Sequence, residues 1–323
     1  MKTRQLTIII NPNSGTVSKK GLAKWLPHHL SRLGYEVKVE YTKGPGDATE
    51  IAARAAREGA YGVLACGGDG TVNEVARGLI NTPTALGIIP TGSGNGLARH
   101  IGIPCDPERS LEVIEENHII HCDYGTVNGL PFFCTFGMGF DAAVSQRFSM
   151  KARRGINSYI TSMIDEFIEY HPNTYEIKAG DEVITDRAFV VSVCNASQYG
   201  NNAFIAPAAS IKDGLLDVTI IHDGNIIEKA WSGVEMLTGS IGNHGKVRTF
   251  RTKSLKIRRK HPSVTHIDGD PTELPAELDI QCHPGALRVF TPRHKLKFVP
   301  FLTPAILTVR EWALVASRPF RKR

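Results

Sequence analysis

The stretch GGDGTVNEV, residues 67–75, decides how the rest of the chain is interpreted. It follows the short apolar run 62–66 and leads into a helix that is expected to start near Asn73 and to reach Leu79. Glycine lets a backbone approach a phosphate closely, and the free N–H groups at a helix start bind anions. The stretch therefore predicts a phosphate-binding turn between a strand and a helix of an α/β sheet.

Two further turns of the same kind flank this stretch. NPNSG, residues 11–15, follows the β-branched run 6–10, and PTGSGNGLARH, residues 90–100, follows the apolar run 85–89. Because ligands of an open α/β sheet bind at the carboxyl ends of its strands, we expect all three turns at one site. Ordinary strand–helix turns, which also favour Gly, Asn and Asp, are the alternative for any one of them.

The pattern changes near residue 126. Short, mostly alternating apolar runs predict an antiparallel sheet or sandwich there, with one long helical insert at residues 156–170. We therefore expect a three-layer α/β domain at residues 1–125 and a β-sandwich domain at residues 126–295. The apolar tail with its basic end, residues 296–323, is expected to pack back on the first domain or to contact a membrane.

Composition and missing motifs exclude several classes of protein. Of the 323 residues, 41% are hydrophobic and 22% are charged, which is typical of a packed globular chain, and the first apolar run is too short for a membrane span or a signal-peptide core. The six cysteines lack CxxC spacing, which favours reduced thiols in a cytoplasmic protein. The P-loop lysine motif and the HRD, DFG, HExxH and GxSxG motifs do not occur.

Three aspartates are candidates for catalysis. Asp69 lies between glycines, where a carboxylate beside polyphosphate implies Mg²⁺, although capping of the following helix explains it equally well. Asp268 and Asp270 lie two residues apart in HIDGDP, residues 266–271, so one could accept a hydroxyl proton while the other orients it or a metal. A β-turn whose aspartates only bond to the backbone is the alternative for this pair.

Basic residues are concentrated in one stretch of the second half. Residues 246–260 hold eight Lys and Arg with no acid among them, more than the net charge of +6 for the whole chain. With the basic, aromatic tail, this stretch favours transient binding to an anionic membrane surface, and a solvated strand face is the alternative. No recognition helix or aromatic platform supports binding to nucleic acid.

In their order, NPNSG, GGDGTVNEV and PTGSGNGLARH resemble the diacylglycerol kinase catalytic-domain family, above all its soluble bacterial lipid kinases and, more distantly, sphingosine and ceramide kinases. The resemblance implies a two-domain lipid kinase. Its three-layer α/β domain would bind the nucleotide, as the similar domains of NAD kinases and phosphofructokinases do, its C-terminal β-sandwich domain would bind the lipid, and ATP and Mg²⁺ would lie in the cleft between them. By position, it implies that ATP is bound by Asn11, Pro12, Asn13, Ser14, Gly15, Thr42, Gly68, Asp69, Gly70, Thr71, Val72, Asn73, Glu74 and Ser93. It also implies Asp270 as general base with Asp268 as its neighbour. A structural Mg²⁺ site, made partly of main-chain carbonyls, is implied at Ser210, Asp213 and Leu215.

The sequence departs from the family pattern at two positions. Gly96 replaces the aspartate of the GTxNDFAR form, and Asp270 is shorter than the common glutamate. Because the GSGN form is reminiscent of sphingosine kinases, the expected acceptor is a diacylglycerol-type lipid first and a sphingoid base second. We expect a cytoplasmic, peripherally membrane-associated enzyme, and a homodimer stays open as its oligomeric state. A soluble small-molecule kinase such as an NAD kinase, or a non-catalytic nucleotide-binding regulator, is the alternative.

Overall fold

The first domain is built on parallel strands, each followed by a helix. The computed structural model describes residues 4–12, 19–150, 166–167, 169–242, 245–294 and 298–300. The strands are β1 (Arg4–Ile10), β2 (Tyr35–Tyr41), β3 (Gly62–Gly67) and β4 (Ala85–Pro90), and the helices are α1 (Lys19–Arg32), α2 (Asp47–Arg57), α3 (Asp69–Leu79), α4 (Gly96–Ile101) and α5 (Pro107–Glu115). The strands pair in the order β2, β1, β3, β4, and all these pairs are parallel.

The hydrophobic pattern explains this arrangement. Strands β3 and β4 are buried along their whole length, as expected of continuous apolar runs in a parallel sheet that is covered on both faces. Helix α1 buries Leu22, Leu26 and Leu30, which are spaced four residues apart on one face. Helix α3 begins at Asp69 rather than near Asn73, because the amides of a first helical turn need no partner in the helix and so tolerate glycine there.

The second domain is antiparallel. Its strands are β5 (Ile119–Val127), β6 (Leu130–Phe132), β7 (Thr135–Gly139), β8 (Asn173–Ala179), β9 (Glu182–Cys194), β10 (Leu216–His222), β11 (Val247–Thr252), β12 (Ser254–Arg259), β13 (Ser263–Ile267), β14 (Asp270–Leu274) and β15 (Glu277–Phe290), and its helices are α6 (Phe140–Ser149) and α7 (Ile226–Thr238). Strand β9 pairs with β7, β8 and β10, so the sheet folds around a core that includes Phe136, Tyr175 and Leu278. The predicted α/β domain followed by a β-sandwich is confirmed.

Strands β5 and β15 run through both domains. The first half of β15 pairs with β12 and the end of β5, whereas residues 287–290 pair with the start of β5, and Val289 pairs with Leu86 of β4. The predicted boundary between residues 125 and 126 therefore falls inside β5. The helical insert expected at 156–170 lies mostly outside the described residues, and of the tail only residues 298–300 are described.

All six cysteines lie among the described residues and are free thiols, four of them buried, as their spacing predicts. In the described part of the chain, no helix is both long and apolar enough to cross a membrane.

Candidate active site

The three glycine-rich turns meet at the carboxyl ends of β1, β3 and β4. The side-chain amide of Asn11 donates a 3.2 Å hydrogen bond to the hydroxyl of Thr71, which joins the first turn to the second. The second and third turns touch through their backbones, since a Cβ atom on Gly92 would lie 2.5 Å from Cα of Gly68. Only glycine at position 92 permits this contact. Residues 13–15 of the first turn lie outside the described residues.

Asp69 connects the second turn to the third. Its carboxylate oxygens accept hydrogen bonds from the backbone N–H groups of Asn95 (2.8 Å) and Gly96 (2.7 Å), at the start of α4. Asp69 thus caps the helix of the third turn, although it belongs to α3. Burial raises the pKa of Asp69 to about 6, the charge of Asp268 also raises it, and the two amide donors act in the opposite direction.

Asp268 is an anchor between the domains. Its carboxylate accepts backbone hydrogen bonds from Phe133 (2.8 Å), Cys134 (2.7 Å) and Thr135 (2.9 Å), and a side-chain hydrogen bond from Asn73 in α3 (2.6 Å). The φ angles of Asp268 (50°) and Gly269 (90°) are both positive, which is typical of the type I′ turn of a two-residue hairpin. These contacts make Asp268 a positioning residue for the hairpin of β13 and β14.

Asp270, two residues further along the same hairpin, has a different environment. It is exposed at the start of β14, where it pairs with Ile267. Its Oδ2 atom lies 3.5 Å from the position that a Cβ atom on Gly70 would occupy. An exposed acid from the second domain therefore lies against the second glycine turn of the first domain.

A buried polar group supports the hairpin from behind. His266 is only 1% exposed, its Nδ1 accepts from the backbone N–H of Gly269 (3.3 Å), and its Nε2 is 3.1 Å from a carboxylate oxygen of Asp141. The hydroxyl of Tyr199 donates to the same oxygen (2.8 Å). Burial raises the pKa of Tyr199 well above its ordinary value, so the hydroxyl stays a donor. The sequence reasoning missed this group, because only His266 lies in a stretch that it singled out.

The third turn also contacts residues 198–202 of the second domain. The backbone N–H of Asn201 donates to the carbonyl of Gly94 (3.2 Å), and the Arg99 guanidinium donates to the side chain of Asn202 (3.0 Å). A Cβ atom on Gly96 would lie 3.3 Å from the carbonyl oxygen of Tyr199. The close approach of this carbonyl explains why glycine occupies the position of the family's aspartate.

Other residues expected at the nucleotide have contacts within the first domain. Glu74 accepts a hydrogen bond from the backbone N–H of Ala48 (3.2 Å) at the start of α2, and Val72 is buried in the core. Thr42 directly follows β2, and its backbone N–H donates to the carbonyl of Ile10 (3.0 Å). Pro12 and Ser93 are exposed at the first and third turns. Their contact with ATP stays a prediction.

The loop of Ser210, Asp213 and Leu215 already holds a positive side chain. Arg251 lies 3.7 Å from the Asp213 carboxylate and donates hydrogen bonds to Asp217 (3.1 Å) and to the carbonyl of Ala208 (2.7 Å). Among the described residues, no cluster of three or more His, Cys, Asp or Glu could hold a metal ion. The Arg251 guanidinium therefore supplies positive charge beside this loop. Because the expected Mg²⁺ site includes main-chain carbonyls, Mg²⁺ binding by Ser210, Asp213 and Leu215 stays a prediction.

The fold and this site define a class of protein. An α/β domain with three glycine-rich turns at one edge faces an exposed acid on a β-sandwich domain. Residues 5–127 match the diacylglycerol kinase catalytic domain, and residues 135–291 match the YegS C-terminal NAD kinase beta sandwich-like domain. The chain therefore belongs to the diacylglycerol kinase family and is an enzyme of the lipid kinase class, which confirms the resemblance noted in its motifs.

Individual relatives agree with this assignment. The diacylglycerol kinase of Mycobacterium tuberculosis (strain CDC 1551 / Oshkosh) is 30% identical over 300 residues, which cover 90% of this chain and 96% of that protein. A YegS-like lipid kinase of Pseudomonas aeruginosa (strain UCBPP-PA14) is 30% identical over 263 residues, covering 80% of this chain and 86% of the relative. In fold, the chain is similar to the crystal structure of a diacylglycerol kinase from Bacillus anthracis str. Sterne, with a TM-score of 0.73 at 21% identity over 92% of this chain and 100% of that chain. Membership of a kinase family implies that the enzyme uses ATP.

Proposed function

We propose that this enzyme transfers the γ-phosphoryl group of ATP to a hydroxyl of a diacylglycerol-type membrane lipid. The observation that carries the proposal is the position of Asp270, whose Oδ2 lies 3.5 Å from where a Cβ atom on Gly70 would be. An acid from one domain and a phosphate-binding turn from the other therefore border the same space. The names of the relatives support a diacylglycerol as the acceptor, and the GSGN turn keeps a sphingoid base as the second choice.

Backbone amides hold the nucleotide in this proposal. Gly68, Gly70 and Gly92 place no side chains at these turns, and the start of α3 adds free N–H groups that attract phosphate. Carboxylates such as Asp69 and Asp270, together with phosphate oxygens, are the hard ligands that Mg²⁺ prefers, so they fit a divalent ion at this edge. When bound there, Mg²⁺ would offset the negative charge of the phosphates.

Asp270 acts as general base. As the lipid hydroxyl oxygen attacks the γ-phosphorus in line, Asp270 accepts the hydroxyl proton, the bond to the β-phosphate oxygen breaks, and ADP leaves. Asp268 and His266 keep the hairpin in place through the contacts described above. Because Asp270 is the exposed acid of the pair, it suits proton transfer better than Asp268.

We also propose that the enzyme is cytoplasmic and works at an anionic membrane surface, where such an acceptor resides. The basic stretch supports this idea less than its sequence suggests, because acids of other segments pair with part of it. The ion pairs are Lys246 with Glu228, Arg248 with Glu182, Arg251 with Asp217 and Arg258 with Glu277. Exposed basic side chains of the stretch include Lys253, Lys256 and Lys260, and we assign any electrostatic attraction to them.

A lipid panel tests the proposed reaction. The purified enzyme is incubated with labelled ATP and Mg²⁺ and, separately, with diacylglycerol, monoacylglycerol, phosphatidylglycerol, sphinganine and ceramide in mixed micelles. We expect label in diacylglycerol above all others, and its loss in Asp270→Asn. The matched control is Glu273→Gln, which removes an exposed acid from the same strand. If the folded enzyme labels none of these lipids, the proposed function is wrong, and label in NAD would favour the soluble-kinase alternative.

A further inference from the structure

Helix α7 presents an apolar face to solvent. Ile227 is 75% exposed, Trp231 is 61% exposed and Val234 is 38% exposed, and their spacing of four and three residues places them on one side of the helix. Ala230 on the same side is also exposed, and Ile226 at the helix start is 65% exposed. We call Ile226, Ile227, Ala230, Trp231 and Val234 the apolar face of α7.

The start and the other side of this helix carry polar contacts. Asn225 and Glu228 form a capping box, and Lys229 makes a 2.7 Å ion pair with Asp223. Ser232 is 2% exposed and donates a hydrogen bond to the carbonyl of Glu228 (3.3 Å). Met236, which lies on the opposite side of the helix from Ile227, packs against a buried cluster, so the apolar face points outward. An exposed apolar stripe of this kind marks a contact surface.

The apolar face is connected to the active site through a short segment. The backbone N–H of Phe204 donates to the carbonyl of Met236 in α7 (2.9 Å), and three residues earlier Asn201 donates to the carbonyl of Gly94 in the third glycine turn (3.2 Å). Met236 and Tyr199 also pack in the same cluster of side chains. A membrane or protein that binds the apolar face of α7 would therefore lie at a fixed position relative to the active-site cleft.

We propose that the apolar face of α7 inserts into the interfacial region of the lipid bilayer that contains the acceptor. This inference rests on the proposed function, in which the acceptor lies in a bilayer. Aliphatic side chains with a tryptophan on one side of a helix, and Lys, Glu and Ser on the other, are typical of helices that lie in this region. A second copy of the chain is less suited to this face. A stable dimer buries about 800 Å² on each partner, which is more than five side chains provide.

Vesicle binding and tryptophan quenching test this proposal on the full chain. The probes are vesicles of phosphatidylcholine and phosphatidylglycerol, with and without brominated phosphatidylcholine. We expect the double variant Ile227→Ser/Trp231→Ser to reduce co-sedimentation on the order of tenfold, because two apolar anchors are lost. Trp231→Phe should bind like the wild type but lose the part of the bromine quenching that Trp231 provides. Val183→Ser, which changes another exposed aliphatic residue (57% exposed), should bind normally.

Other occupants give different results. If the double variant binds vesicles like the wild type, or if bromine does not quench Trp231, the proposal is wrong. A wild-type dimer that the double variant converts to a monomer in sedimentation velocity, with unchanged vesicle binding, would assign the face to a second copy. Turnover of a short-chain acceptor dissolved as monomers separates this inference from the proposed function. The double variant should retain that turnover, whereas an inactive wild type that still binds vesicles through α7 would refute only the reaction.

Discussion

The side-chain amide of Asn73 donates a 2.6 Å hydrogen bond to the carboxylate of Asp268, 195 residues away in the chain. This contact joins the helix of the phosphate-binding turn to the hairpin that carries Asp270. Asp268 simultaneously binds three successive backbone amides, of Phe133, Cys134 and Thr135. This one carboxylate therefore helps to fix the relative position of the two halves of the site.

A double-mutant cycle of Asn73→Ala and Asp268→Ala measures this link. Asp268→Ala should lower the free energy of unfolding by more than about 3 kcal/mol, because three amides lose their acceptor at about 1–3 kcal/mol each. Asn73→Ala should cost about 1–2 kcal/mol, and the coupling between the two changes should be about 1–3 kcal/mol by urea unfolding. Strictly additive effects would show that the two side chains do not interact.

Replacing Asp270 should separate activity from stability. Asp270→Asn should lower kcat by about 100-fold or more, because the carboxamide cannot accept the proton. The melting temperature should stay unchanged, since the side chain is exposed. Asp270→Glu should recover part of the activity, and Glu273→Gln should retain all of it. A fully active Asp270→Asn enzyme would remove Asp270 from the chemistry.

Substitutions of Gly96 test why the family's aspartate is missing. A Cβ atom there would lie 3.3 Å from the carbonyl oxygen of Tyr199 and 3.4 Å from that of Gln198. Gly96→Ala should therefore cost about 1–2 kcal/mol of stability, and Gly96→Asp should cost more, because its carboxylate would face these oxygens. Gly44→Ala is the matched control, since nothing lies within 4 Å of the added carbon. Equal melting temperatures for all three variants would contradict the close contact.

The buried group behind the hairpin should matter for stability as well as turnover. Asp141→Ala removes the acceptor of both Tyr199 and His266 and should destabilise the protein by about 2–4 kcal/mol. Tyr199→Phe removes one hydrogen bond and leaves the His266 contact, so about 1 kcal/mol is expected. Thermal unfolding with parallel kcat measurements checks both values. If Tyr199→Phe lowers the free energy of unfolding as much as Asp141→Ala does, Asp141 does not serve as the shared acceptor of Tyr199 and His266.

Asp69 makes the stability depend on pH. Its pKa of about 6 in the folded protein exceeds the ordinary value of 3.8, so the folded state binds this proton more tightly than the unfolded chain. The contribution of Asp69 should therefore be largest below about pH 4 and should fall as the pH rises towards 6. Urea unfolding in metal-free buffer, with Asp69→Asn subtracted, isolates this slope. If the free energy of unfolding of the wild type, relative to that of Asp69→Asn, increased from about pH 4 to 6, the prediction would be wrong.

Several features of the molecule could be predicted from residue types alone. Three apolar runs that each end in glycines predict parallel strands with turns at one edge, because chain direction places all such turns on the same side of the sheet. The Asp268–Gly269 pair likewise predicts a hairpin turn, since both residues tolerate positive φ. The expected start of α3 near Asn73 is wrong, since the helix begins at Asp69. Helix propensity does not show that the first turn of a helix can contain glycine.

Other features depend on distances that local sequence does not contain. The contacts of Arg251 at the 210–215 loop and the ion pairs of the basic stretch come from acids on other segments. The Asp141, His266 and Tyr199 group is likewise assembled from three separate elements. Pattern reasoning works within one element, so it could not find partners that the fold brings together from far along the chain.

By itself the sequence determined the alternation of strands and helices in the first domain, the three glycine-rich turns and the family, because these follow from local periodicity and from motifs. Asp69, Asp268 and Asp270 look alike in the sequence, since each stands next to a glycine. Only the tertiary structure made the first a half-buried helix cap, the second an anchor between domains and the third an exposed acid against Gly70. The physical reason is that what a carboxylate does depends on its burial and on the donors around it, and both are supplied by the fold.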